Sequence, residues 1–218
     1  MEYSGEKAEE LNADHHRRMA HDARAVGEDR VREIKALDGR SRDKLLWAMK
    51  GCVERHKMAD GPTRLLEIGA GRAGHKDALL QQLGVAEYIG VEVVREVAEA
   101  SSEHGVLHMA FEDAPENWDG AFHFIYSRHV MEHVLDVVLA MKTLKRLLAP
   151  NGVIGAVTPH YFPDPEPAHV TQMELSGWMN AYVRGGLKPV YATIEDFVCQ
   201  EAHLVCVHDN WPLVTRSL

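Results

Sequence analysis

Apolar positions along the chain fall into two periods. Seven short runs read as strands because their apolar residues alternate or run on between turn residues: "RLLEIG", "EYIGVEV", "VLHMA", "AFHFIYS", "GVIGAVTP", "LKPVYATI" and "AHLVCVHD". Between them, apolar residues recur every three to four positions. This predicts helices over "AGHKDALLQQLG", "REVAEASSEHG", the segment from about Val130 to Leu148, and "TQMELSGWMNAYVRGG". A further helix is expected from about Ser41, a plausible N-cap, to Met58, with Leu45, Leu46, Met49 and Val53 on one face. Residues 1–40 are dense in charge. Leu11, Met19, Val26, Ile34 and Leu37 stand at roughly helical spacing, which predicts one or two helices forming an extension, either packed on the domain or acting as a lid.

Strands alternating with helices imply parallel pairing through right-handed crossovers, with helices on both faces of the sheet. Only "EDFVCQE" joins the last two strands, too short for a parallel crossover, so that pair is expected to be antiparallel. The fold class expected is α/β: a Rossmann-like, doubly wound sheet of seven strands, mostly parallel with an antiparallel C-terminal strand, plus N-terminal helices. The organisation expected is an extension over residues 1–40 and one domain over 41–218, which suits a chain of 218 residues.

Composition narrows the partners. The net charge of −9 argues against nucleic acid as the main partner, since phosphate binding needs Lys and Arg. Three cysteines, Cys52, Cys199 and Cys206, have no C-x-x-C spacing and suit a reducing compartment. No apolar run reaches the ~18–20 residues that cross a bilayer, and the N-terminal "MEYSGEKAEEL" lacks a basic-then-apolar signal. A cytoplasmic protein with no membrane partner is expected. No motif specifies an oligomeric state.

The first strand ends in "EIGAGRAG", where Gly69, Gly71 and Gly74 open the following helix. Glycines there let a ligand lie directly on backbone, as adenosine-containing ligands require. Glu67 sits where a dinucleotide site would keep an apolar residue. A carboxylate at that strand end repels a pyrophosphate and attracts a cationic amine or sulfonium. Glu92 closes the next strand 25 residues later, at the place where an acid accepts hydrogen bonds from ribose hydroxyls.

"LLEIGAGRAG", "YIGVEVV", "FHFIYSRHVMEHV" and "LKRLLAPNGVIGAVTP" resemble, in order and spacing, the successive motifs of class I S-adenosylmethionine-dependent methyltransferases. The likeness covers about Leu65 to Pro159 and runs more loosely to the C-terminus, where it is similar to small-molecule members. It implies S-adenosyl-L-methionine as cofactor and S-adenosyl-L-homocysteine as product. It places Glu67, Gly69 and Gly71 at the methionine portion, Glu92 on the ribose, and Val93 against the adenine. Phe111 and Glu112 are implied near the base edge, and Ser127, Arg128 and His129 beside the methionine portion. The chain departs from the family pattern at Ala73, Ala110 and His123.

"HVMEH", His129 to His133, also matches the H-x-x-E-H letters of a zinc peptidase, with Glu201 as a formal third ligand. Its place just after a strand speaks against one helical face for both histidines, and the resemblance makes the Glu-His pair structural. His75 is among the histidines expected on solvated faces; His203 is expected to be packed or hydrogen-bonded. His160 and His169 flank the loop "YFPDPEP" after the fifth strand, at the sheet edge where ligands bind. His129, His160 and His169 are therefore the candidates for a general base. Tyr161 and Phe162 are candidates for an apolar wall. No acidic trio fits magnesium, so no metal is expected.

The function expected is methyl transfer by in-line displacement to a small-molecule oxygen or nitrogen acceptor. Two alternatives stay open: a non-catalytic S-adenosylmethionine-binding scaffold, and an NAD-dependent oxidoreductase, which Glu67 disfavours.

Overall fold

The computed structural model describes residues 13, 14, 17, 28–56, 63–160, 168–197 and 199–209. Leu11, Met19, Val26, Tyr161 and Phe162 lie outside the described residues, as does the loop 161–167. The element order is α1 (Glu28–His56), β1 (Arg64–Ile68), α2 (Lys76–Leu83), β2 (Glu87–Glu92), α3 (Arg95–Glu99), β3 (Val106–His108) and β4 (Phe122–Arg128). It continues with α4 (Val137–Leu147), β5 (Leu148–Pro159), α5 (Leu175–Arg184), β6 (Leu187–Asp196) and β7 (Gln200–His208).

The seven strands form one sheet in the order β3-β2-β1-β4-β5-β7-β6. β1 pairs parallel with β2 and β4, β2 with β3, and β4 with β5; β7 runs antiparallel to both β5 and β6. This is the expected Rossmann-like sheet. The chain leaves β1 toward β2 on one side and returns to β4 on the other, so the crevice outside the carboxyl ends of β1 and β4 is the switch point where ligands bind in such sheets.

Alternation along each strand divides the core. Leu66, Ile125, Ile154 and Cys206 face α4 and α5, where Met141, Leu144, Trp178 and Tyr182 meet them. Their neighbours Leu65, Phe124, Val153 and Val205 face the other way, onto Leu45, Leu46 and Met49 of α1 and Leu79 of α2.

Two helix starts differ from the periodicity. α1 begins at Glu28, not Ser41, and runs unbroken past residue 41. Ser41 is fully buried in its middle, and its hydroxyl donates to Glu201, so a tertiary partner has taken the oxygen that read as a cap. α4 begins at Val137, not Val130, because the Asp136 carboxylate accepts from the Leu139 amide and caps the helix there. Met131–His133 form only a single 3-10 turn. The histidines of "HVMEH" therefore do not share a helical face.

Candidate functional site

The glycine loop after β1 is left-handed at Gly69 (φ +67°), Gly71 (φ +52°) and Ala73 (φ +54°). The two glycines serve different ends. A Cβ on Gly69 would lie 2.2 Å from Val130 Cγ2, whereas nothing stands within 4 Å of the corresponding point on Gly71. The first lets the β4 junction pack against the loop; the second leaves bare backbone facing open space. Glu92 ties the loop to β2. One of its oxygens accepts from the Gly71 amide at 3.1 Å and the other from Val94 at 2.9 Å. A carboxylate has about four acceptor positions, so lone pairs remain for ribose hydroxyls. These residues fit an adenosine-bearing ligand seated on Gly71.

Glu67 does not face the crevice. It is 1% exposed; one oxygen meets His75 Nδ1 at 3.1 Å and the other accepts the Tyr88 hydroxyl. The sequence expectation of a carboxylate turned toward a sulfonium is corrected here. Burial makes an unpaired charge costly, and side chains of the protein supply the counter-charge. His75, expected on a solvated face, bridges Glu67 and Asp38, with Nε2 at 3.2 Å from the latter. Burial alone would lower its pKa, but the hydrogen bonds and charges of Asp38 and Glu67 outweigh burial and raise it to about 9. Burial and the Glu67 charge push the Tyr88 hydroxyl up, so it stays a donor.

From Asp38 the network runs on across the sheet. Arg128 pairs with Asp38 and, at 2.8 Å, with Glu201. Glu201 Oε1 also meets His129 Nε2 at 3.0 Å, and His129 Nδ1 lies 3.3 Å from Glu132. Glu201 Oε2 is held by Ser41 and by His203 at 3.2 Å. Read in order, Glu67, His75, Asp38, Arg128, Glu201, His129 and Glu132 alternate in sign. Burial works to raise the Glu201 pKa, yet His129, His203 and Arg128 hold it well below the usual carboxylate range. Burial likewise opposes a charged His129, and the bonds to Glu132 and Glu201 raise its pKa regardless.

This arrangement separates the candidate residues. Gly69, Gly71 and Glu92 come together at the switch point, and Val93 follows Glu92 in the chain. Arg128 has a side chain only 7% exposed, spent on Asp38 and Glu201, and does not point into the crevice. Ser127 is fully buried. Phe111 is 3% exposed and belongs to the apolar core, while Glu112 beside it is half-buried, its pKa raised by burial and by Asp113. His129, at φ +53°, has a carboxylate at each ring nitrogen, which suits it to bridging and not to accepting a proton. His160 follows β5, its amide bonded to Gln200 at 2.7 Å and its Nδ1 without a partner among the described residues. His169 packs on His133, ring centroids 5.0 Å apart. Asp38 and Tyr88 escaped the sequence reading, which gave His75 only a solvated face and Glu201 only a formal place as a zinc ligand. Only His75 had a local cue, since it directly follows the last glycine of the loop.

The fold and the loop define a Rossmann-like enzyme that holds an adenosine-bearing cofactor at the β1/β4 switch point. The chain belongs to the class I S-adenosylmethionine-dependent methyltransferase family: the profile of a family described as a methyltransferase domain matches residues 8–187. S-adenosylmethionine is accordingly its cofactor. No curated protein sequence matches the chain. Several solved structures share the fold. The 1,6-didemethyltoxoflavin-N1-methyltransferase of Burkholderia thailandensis, solved with 1,6-didemethyltoxoflavin and S-adenosylhomocysteine, is 12% identical and aligns over 95% of this chain and 92% of its own, with a TM-score of 0.68. The YcgJ protein of Bacillus subtilis is 19% identical over 75% of this chain and 97% of its own, with a TM-score of 0.56. A SAM-dependent methyltransferase of Aquifex aeolicus is 13% identical over 66% and 81%, with a TM-score of 0.52.

Proposed function

We propose that this enzyme methylates an oxygen or nitrogen of a small molecule. The observation that carries the reading is the pairing of open Gly71 backbone with Glu92 at the end of β2, which supports an adenosine seat at the carboxyl edge of the sheet, the edge at which β5 leads into His160. S-adenosylmethionine supplies a methyl group already activated on a sulfonium sulfur. The acceptor atom forms its bond to that carbon as the carbon–sulfur bond breaks, and a proton on the acceptor passes to a base.

The protein's part is to hold the reactants in line and to take that proton. Good orientation alone can contribute ~7–11 kcal/mol. The alternating charge network fixes the floor of the site: it ties β1, α1, β4 and β7 together so that the glycine loop and the β4 junction keep their spacing. Of the three candidate bases, His160 is the one we assign the proton, its Nδ1 having no partner among the described residues; general-base assistance contributes typically ~10²–10⁴-fold. A small acceptor is supported by the acidic net charge and by the toxoflavin-precursor enzyme, which shares nearly the whole length of this chain. No helix among the described residues is long and apolar enough to cross a membrane.

Calorimetry with S-adenosylmethionine, S-adenosylhomocysteine and NAD(H) should show binding of the first two only. Incubating a metabolite extract with labelled methyl donor should transfer label to a small molecule, and His160→Ala should slow that transfer at least a hundredfold. Uptake of NAD(H) instead, or cofactor binding with no transfer to any acceptor, would replace this reading with the oxidoreductase or the scaffold.

A further inference from the structure

We propose that Glu132, His133 and His169 form a binding site for a divalent transition-metal cation of the zinc type. Glu132 and His133 lie on the turn after β4; His169 comes from the segment after the β5 loop, 36 residues further along the chain. One ligand atom from each of the three lies within 4.8 Å of the other two. A tetrahedral ion with bonds of ~2.1 Å holds its ligands ~3.4 Å apart, so modest side-chain rotation closes the trio on one ion.

Independent features of the site point to a cation. Glu132 is 2% exposed, and its Oε2 has no hydrogen-bond partner among the described residues. A buried carboxylate oxygen left unpartnered is costly, and a bound cation removes that cost. A second carboxylate, Glu201, stands on the far side of the His129 ring, 3.0 Å from its Nε2.

The partners behind the trio are those that orient metal ligands. His133 Nδ1 donates to the Ala168 carbonyl at 3.0 Å, which holds the ring in one orientation. Glu132 Oε1 takes the His129 bond at 3.3 Å, leaving Oε2 as the atom for the ion. The segment bearing His169 is pinned to the same turn: the Thr171 amide donates to the Glu132 carbonyl at 2.9 Å and its hydroxyl to the Val134 carbonyl at 2.6 Å. Two imidazoles and one carboxylate select zinc and its neighbours over magnesium or calcium, which prefer all-oxygen shells. Three protein ligands also leave a coordination position open to water or an acceptor oxygen. The H-x-x-E-H letters thus point to a site with different members: His129 orients, Glu201 stands behind it, and His169 supplies the third ligand in place of both. The sequence expectation of metal independence is the alternative this site replaces.

The test is zinc titration of chelator-treated full-length protein against a chromophoric competitor, with Co²⁺ as a spectroscopic probe. Wild type should bind one equivalent, and the Co²⁺ complex should show visible absorption of a low-coordinate site. His133→Ala and His169→Ala should each weaken zinc at least tenfold and abolish the Co²⁺ bands, while S-adenosylmethionine affinity by calorimetry stays near wild type. His104→Ala and the double variant His15→Ala/His16→Ala should leave zinc binding unchanged. Failure of wild type to bind one equivalent, or equal affinity in His133→Ala and His169→Ala, would overturn the proposal. Loss of binding in His15→Ala/His16→Ala would do the same. None of these outcomes depends on methyl transfer.

Discussion

Replacing Gly69 and Gly71 in turn by alanine separates the folding role of the loop from its binding role. Both residues are left-handed, at φ +67° and +52°, so each alanine carries roughly 1–2 kcal/mol of backbone strain. At Gly71 that is the whole effect on the fold, because nothing lies within 4 Å of the new methyl. At Gly69 the methyl would stand 2.2 Å from Val130 Cγ2, which adds an overpacking cost of roughly 1–3 kcal/mol. Gly71→Ala should therefore lower Tm by about 2–8 °C and Gly69→Ala by about 4–20 °C, at roughly 2–4 °C per kcal/mol for a chain of this size. Adding Val130→Ala to Gly69→Ala should recover the overpacking part and leave the strain. Binding should rank the other way. On the proposed seat the Gly71 methyl would enter the cofactor's space, so Gly71→Ala should weaken S-adenosylmethionine at least tenfold, about 1.4 kcal/mol, by calorimetry. An unchanged Kd for Gly71→Ala, or equal Tm values for the two single variants, would refute the division.

The charge network makes further predictions. His75 has its pKa raised from 6.5 to about 9, so the stability it contributes is complete below pH 6.5 and is lost as pH rises through 9. The gap in urea-unfolding free energy between wild type and His75→Gln should narrow over that window, by at most about 1.4 kcal/mol per unit of displacement; a gap constant with pH would remove the imidazolium. Glu201→Ala removes a partner from Arg128, His129 and His203 together and should cost roughly 3–5 kcal/mol in urea unfolding; a loss under ~1 kcal/mol would mean the network does not brace the fold. Glu92→Ala should weaken S-adenosylmethionine by roughly 1–3 kcal/mol with the fold retained, and unchanged affinity would take Glu92 out of the site.

The parts of the site legible in sequence are those whose geometry is local. Glu92 ends β2, and Gly69 and Gly71 follow the end of β1; a strand end in a parallel sheet places such residues at the ligand edge whatever the rest of the chain does. The antiparallel end of the sheet was legible for the same kind of reason, since "EDFVCQE" cannot span a parallel crossover. Misread residues had their environment supplied from far along the chain. Glu67 looked poised for a cationic ligand because nothing nearby in sequence shows that Tyr88 and His75 take both its oxygens. Arg128 and His129 looked free for the cofactor because Asp38 is 90 residues before the first and Glu201 is 72 after the second.

Sequence by itself determined the sheet, its switch point and the glycine seat, because hydrophobic period and backbone permissiveness act over a few residues. Tertiary structure alone decided which ionisable groups are spent on one another. A buried charge takes its partner from whichever strand or helix packs beside it, and here β7 lies next to β5 and α1 lies across β5, bringing Glu201 and Asp38 to the carboxyl edge. That choice turned His129 from a candidate base into a bridge and left Glu132, His133 and His169 at one end of the chain of charges.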